Sequence, residues 1–258
     1  MRGAEFQAIY IMWLRQMKRF VRSRSRIVVT IVQPLFFLVI LGSGLRAAMM
    51  PGMIGGDYLH FLAPGIIAMA ILFSSMFTGV SVLWDKQFGF LQEVLVAPVS
   101  RLSIIIGRTL GGATTALIQG FVILFIAFGL GVPVSSIPGL LLTLVFMVLS
   151  AFTAVGFGLI IASKMENFQS FPIIMNLIVM PLLFLSSAFF PIATNPNFPD
   201  IVIKLSFFNP LFYMVDGLRG SLTGLNNYFH PLIDLSIVLV ICIIMMGLGS
   251  YFFSKSEV

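Results

Sequence analysis

Asp216-Gly217-Leu218-Arg219 is the stretch of this 258-residue chain that most resembles a catalytic motif. An aspartate that opens an acidic run on a helix holds a metal ion when further carboxylates follow at helical spacing. A membrane enzyme built that way would modify a lipid. Here the next acid is Asp234, so the carboxylates are too sparse for that pattern. The plainer reading is an Asp–Arg pair three apart on a short helix, each satisfying the other. The other reactive side chains offer less. His60 and His230 are the two histidines, and neither lies in an HExxH spacing. Cys242 is the single cysteine, which excludes an intramolecular disulfide and a CxxC metal centre. No GxxxxGK[ST] loop is present to cradle nucleotide phosphates. The chain itself is expected to hold no cofactor and no metal, and to have no catalytic residue.

The elements that position these residues must lie in lipid. The chain is 59% hydrophobic and 9% charged, whereas a soluble domain carries about 25% charged residues. Between Arg108 and Lys164 there is no Lys, Arg, Asp or Glu, so a helix there is apolar all round. A crossing needs about 20 apolar residues. Six runs qualify: 27–45, 61–84, 102–130, 139–163, 171–190 and 231–253. None alternates in polarity as a barrel strand would, so they are read as helices. With the N-terminus on the inside, twelve of the fifteen Lys and Arg residues face the cytoplasm. Arg46, Lys204 and Arg219 fall outside. That bias places both termini in the cytoplasm of a multi-pass cell-membrane protein. The net charge of +6 then reads as topology and lipid headgroup contact. Nucleic acid is a poor partner, because no basic patch exists apart from the membrane flank.

Residues 4–24 carry Phe6, Ile9, Trp13, Met17 and Phe20 at steps of three and four, with Arg15, Arg19 and Arg22 on another face. This predicts an amphipathic helix in the cytoplasmic interface, its arginines reaching headgroups. Residues 191–230 are too apolar for a free loop and predict short helices that dip back into the outer leaflet. The expected fold is an all-α integral membrane domain covering 1–258. It has six spans, the interfacial helix, a short cytoplasmic helix at 85–101 and the re-entrant segment.

Charge within the spans is nearly absent, and Arg108 is expected to snorkel from the end of the third. A carrier driven by an ion gradient commonly uses an intramembrane carboxylate, and none lies inside the first five spans. Energy for uphill transport must come from elsewhere. Gln33 and Asn176, on the proline-bent first and fifth spans, are candidates to line a path. Gly107-xxx-Gly111 and Ala154-xxx-Gly158 permit close helix approach.

DKQFGFLQEVLVAPVSRL, residues 85–102, is the longest charged insert after the N-terminus. A helix there, ended near Pro98, presents Asp85, Lys86 and Glu93 to the cytoplasm as a docking surface. QEVLVAPVSR at 92–101 resembles the stretch after the second span in permease subunits of ABC type-2 exporters, the daunorubicin-permease-like branch. NPLFYMVDGLRGSLTG at 209–224 resembles the segment before the last span in the same family. The resemblance implies that 85–101 is a coupling helix docking on a separate ABC ATPase subunit, with Asp85, Lys86, Glu93, Val96, Pro98 and Arg101 at the contact. It implies Phe212, Asp216 and Arg219 near an external gate. It implies two permease chains, identical or different, with two ATPase copies that bind the ATP and magnesium. A hydrophobic or amphipathic drug or lipid is the expected cargo. Polysaccharide, glycolipid or sodium export by the same machinery is the alternative, and a lipid-modifying enzyme is a more distant one.

Overall fold

A computed structural model describes residues 2–48, 57–89, 99–165, 169–195, 198–225 and 228–255. Among them are nine helices: α1 Arg2–Arg22, α2 Arg24–Ala48, α3 Tyr58–Gln87, α4 Arg101–Gly129, α5 Ile137–Lys164, α6 Ser170–Leu185, α7 Asp200–Phe207, α8 Pro210–Leu222 and α9 Pro231–Lys255. The protein is an all-α integral membrane protein. Five of the helices, α2, α3, α4, α5 and α9, are long and apolar enough to cross a bilayer. Their bounds lie within a few residues of the runs read from the sequence. The segment expected to re-enter holds α7 and α8, an apolar pair bent by 85° at the Phe208–Asn209 break. Asn209 caps α8 by accepting from Leu211 N, and Pro210 follows at its first turn, where a missing N–H costs nothing.

One expectation is corrected. The run 171–190 is not helical throughout. α6 stops at Leu185, and its 16 residues reach only about 24 Å at 1.5 Å per residue. Pro181 lies inside it. Ser186 then donates its hydroxyl back to Leu183 O, and Ser187 takes φ 58°, a left-handed conformation that ends an α-helix. Hydropathy alone does not register such a stop.

α3 is the axis of the bundle. It packs on α2, α4, α5 and α8, and 83% of its span is buried, against 22% for α2 and for α9. In lipid, apolar surface gives helices no drive to associate, so close backbone approach and hydrogen bonds carry the packing. The glycines supply the approach. A Cβ on Gly79 of α3 would lie 2.6 Å from Gly158 O of α5, and one on Gly249 of α9 would lie 2.9 Å from Gly156 O of α5. Gly107 and Gly111 of α4, read from the sequence as a seam, receive α1: added Cβ atoms would lie 2.6 Å from Ile9 O and from Gln16 Cβ.

α1 is therefore docked along α4. Its inner face is Met12, Gln16 and Phe20, all buried, while Phe6 of the expected apolar stripe is exposed. Trp13 donates Nε1 to Thr114 Oγ1 of α4. Gln119 Nε2 of α4 donates to Thr30 Oγ1 of α2.

The Gly79 seam has backbone on its far side and cannot yield. Gly79→Ala is expected to cost about 1–3 kcal/mol by overpacking and to lower the melting temperature in detergent. Gly247→Ala, which meets nothing within 4 Å, is expected to leave it unchanged. Equal melting curves for the two variants would contradict the seam.

Candidate functional site

The cytoplasmic insert read from the sequence begins inside the bundle. α3 runs on to Gln87, Phe88 caps it, and Gly89 at φ 75° turns the chain away. Asp85 thus lies on the last turn of α3. It does not present itself to a soluble partner: it is 2% exposed and surrounded by guanidinium groups. Arg15 donates to it bidentately, Nη2 to Oδ1 at 2.6 Å and Nη1 to Oδ2 at 2.8 Å. Arg19 Nη2 reaches Oδ1 at 3.3 Å. Arg108 Nη2 of α4 sits 2.8 Å from Oδ2. That last contact is ionic, without hydrogen-bond alignment, and Nε and Nη1 of Arg108 have no acceptor among the described residues. The Arg108 guanidinium instead lies 5.7 Å from the ring centre of Phe253 in α9.

Two expectations change here. Arg15 and Arg19 converge on Asp85 rather than reaching for headgroups. Arg108 is 2% exposed and does not snorkel. The reason is shared. A buried charge needs a partner more than an interfacial one needs water, and the Gly107–Gly111 seam brings α1 close enough to supply two.

A second post stands at the far side of the insert. Ser100 caps α4 by accepting from Ser103 N. Glu5 of α1 accepts from Ser100 N at 3.1 and 3.2 Å, from Ser100 Oγ at 2.8 Å and from Ser103 Oγ. These hydroxyls hold the Glu5 carboxyl below its ordinary range, Ser103 first and Ser100 next. An acid at a helix N-terminus also meets the positive end of the dipole. Arg101, exposed, donates Nη1 to Ser254 O of α9 at 2.6 Å. Lys86 is half-buried. Trp84 and Phe88, which the sequence reading passed over, are exposed beside it with ring centres 5.6 Å apart. Glu93, Val96 and Pro98 lie outside the described residues.

At the Tyr58 end of α3 the Asp216–Arg219 stretch forms a joint. The two side chains do not pair with each other, as local spacing suggested. Asp216 accepts from Tyr228 N at 2.9 and 2.8 Å and from Phe229 N at 2.9 Å. Arg219 donates Nε to Phe61 O and Nη2 to Ser187 O, and lies 3.7 Å from the Phe61 ring centre. It thereby occupies the carbonyl exposed by the left-handed Ser187. Gly217 leaves room for Phe146, whose ring would lie 2.2 Å from an added Cβ. Phe212 is buried. Among the described residues no three His, Cys, Asp or Glu side chains are grouped to hold a metal ion.

Gln33 and Asn176 are both exposed. Asn176 lines a recess of about 160 Å³ with Phe73, Met76, Phe77, Val80, Phe171 and Met175, and Gln33 is not part of it.

Breaking a buried ion pair costs about 3–5 kcal/mol. Asp85→Asn is therefore expected to destabilise strongly in thermal unfolding. Asp85→Asn combined with Arg108→Met is expected to cost clearly less than the sum of the single changes. Simple additivity in that double-mutant cycle would show that the two groups do not interact.

Comparison with known proteins agrees with this architecture. The ABC-2 type transporter family matches residues 7–223. The chain is similar to the inner membrane transport permease YadH of Escherichia coli K12, 28% identical over 242 residues, 92% of this chain and 90% of that protein. It is similar to the putative transport permease ycf38 of Cyanophora paradoxa, 26% identical over 215 residues, 83% and 73% of the two chains. It is also similar to nodulation protein J of Rhizobium leguminosarum bv. trifolii, 27% identical over 207 residues, 79% and 74%. A bundle of long apolar helices with charge confined to its joints, matched over most of its length, belongs to the ABC-2 type transporter family as a membrane transport permease.

Proposed function

We propose that this permease is the membrane-spanning subunit of an ATP-driven exporter in the cell membrane, with both termini and the Asp85 end in the cytoplasm. A separate ABC ATPase, in two copies, binds the ATP and magnesium. Two permease chains, identical or different, enclose the path. The chain performs no chemistry of its own. Its cargo is hydrophobic or amphipathic, of drug or lipid type.

One observation carries the reading: the insert between α3 and α4 is anchored at both ends to the bundle. At one end Asp85 ties α3 to α1 and α4. At the other, Ser100 and Arg101 tie α4 to α1 and α9. A soluble partner pressing on the insert moves four helices together instead of bending a loop. Docking then falls to Lys86, Glu93, Val96, Pro98 and Arg101, with Trp84 and Phe88 at the edge. Asp85 acts behind them as an anchor. Nucleotide-driven closure of the ATPase pair shifts the bundle only through such differential contact.

The lightly packed faces suit the path. α2 exposes Val29, Val32, Phe36 and Ile40 around Gln33, and α6 exposes Ile173 and Leu177 around Asn176. Phe212, Asp216 and Arg219 hold the bent α7–α8 pair, which is the natural position for an external gate.

A tagged chain purified in mild detergent from its own membranes is expected to bring down an ABC ATPase in one-to-one ratio. Glu93→Lys is expected to abolish that association while leaving the melting temperature unchanged. Recovery of the chain alone, under conditions that keep known transporter complexes together, would refute the reading.

A further inference from the structure

The Tyr58 end of the bundle contains an acid that the transport reading does not use. Asp234 lies in the first turn of α9 and is fully buried. Neither of its carboxyl oxygens has a hydrogen-bond donor among the described residues. Its neighbour across the α8–α9 contact is another buried acid, Asp216, which accepts from the two amides just ahead of α9.

Among the described residues, the hydrogen bonds of the nearby donors go elsewhere than to Asp234. Tyr228 N and Phe229 N serve Asp216. The first-turn amides of α9 go to His230, with Leu232 N on its Nδ1 and Ile233 N and Asp234 N on its carbonyl. Arg219, the cation on α8, donates Nε to Phe61 O and Nη2 to Ser187 O. Tyr213, also on α8, donates its hydroxyl to Phe207 O. From α3, Tyr58 donates to Phe189 O. The face of α5 at this end carries Thr143, bonded to Gly139 O and Ser221. The ionisable residue of α5, Lys164, is at the opposite end, as are Arg101 and Arg108 of α4. Exposed His230 is the titratable side chain next to the pair along the chain.

Two adjacent buried carboxylates cannot both ionise at modest cost, and a buried acid without a donor is expensive. We propose that Asp216 and Asp234 form a proton-binding site, in which one proton is shared between the two carboxyl groups with Asp234 as the donor to Asp216. One bound proton satisfies both acids. It also leaves the buried set neutral, with the remaining negative charge balanced by Arg219. The site joins three parts: α8 through Asp216, the 228–229 turn through its amides, and the last span through Asp234. Loss of the proton to solvent puts two like charges under that turn and loosens its hold on α8. Acid therefore tightens this end of the molecule and alkali loosens it. The inference does not depend on an ATPase partner and stands or falls without one.

Infrared spectroscopy of the full chain in detergent tests it. Isotopic labelling of aspartate identifies the carbonyl stretch of a protonated Asp side chain. Asp85 is held ionised by its arginines, Asp200 is exposed and Asp57 caps α3, so a protonated aspartate signal at neutral pH reports the pair. The expected result is a signal of one carboxyl per chain that disappears in a single step on alkaline titration and is missing in Asp234→Asn. A native state that holds this proton more tightly than the unfolded chain loses stability as pH rises. The wild-type melting temperature is thus expected to fall from mildly acidic to mildly alkaline pH, with that slope abolished in Asp234→Asn. Absence of the labelled signal in wild type at neutral pH overturns the site, and so does its persistence in Asp234→Asn. If the variant does not fold, the labelled wild-type titration decides alone.

Discussion

Everything at the Asp85 end of the molecule depends on one buried carboxylate. Three guanidinium groups from two helices meet it. Removing a single partner would leave charge stranded in an apolar bundle, where solvation is poor and the penalty is several kcal/mol. α1 is thereby converted from a helix that lies on a membrane into one bolted to α3 and α4. The glycine seam on α4 and the ion cluster cooperate. Without the close approach at Gly107 and Gly111 the arginines would not reach, and without Asp85 they would prefer water.

The opposite end is held by different chemistry. There the contacts are mostly between side chains and the backbone groups that broken helices release. Asn209 Nδ2 donates to Leu182 O near the end of α6, Arg219 takes Ser187 O, and Asp216 gathers two turn amides. A bent pair such as α7–α8 is tolerated at membrane depth when its freed backbone groups find partners in the protein. α3 connects the two ends. Arg219 binds its first turn and Asp85 sits on its last, with a glycine crossing to α5 between them.

The helices were legible because lipid leaves little choice: a charge-free stretch from 109 to 163 has to be helical and has to turn in the middle. The run read as 139–163 starts two residues late and ends one residue short of the helix Ile137–Lys164. α6 was misjudged because its stop at Ser187 is conformational, and two serines in an apolar run look like tolerated polarity. The ion cluster was missed because Arg15 and Asp85 are 70 residues apart and each looks like a flanking charge. A signal was present. Asp85 directly follows the apolar run 61–84, ahead of Glu93 in the same insert, while Arg15, Arg19 and Arg108 lie on helices whose opposite faces are apolar. Asp216 and Arg219 were paired too readily because helical spacing shows which side chains are near each other and not which backbone groups lack partners.

The ion cluster also imposes an order on assembly. α1 leaves the ribosome before the elements it binds: the buried partner of Arg15 is 70 residues further on, and Arg108 later still. Until α3 and α4 have been inserted, α1 has no carboxylate to receive Arg15 and Arg19. Its cationic and aromatic residues suit it to wait at the lipid surface during that interval. α1 is thus synthesised ahead of α3 and α4 and docks only after them. Its closure onto Gly107 and Gly111 marks the point at which the first half of the bundle has become a single body.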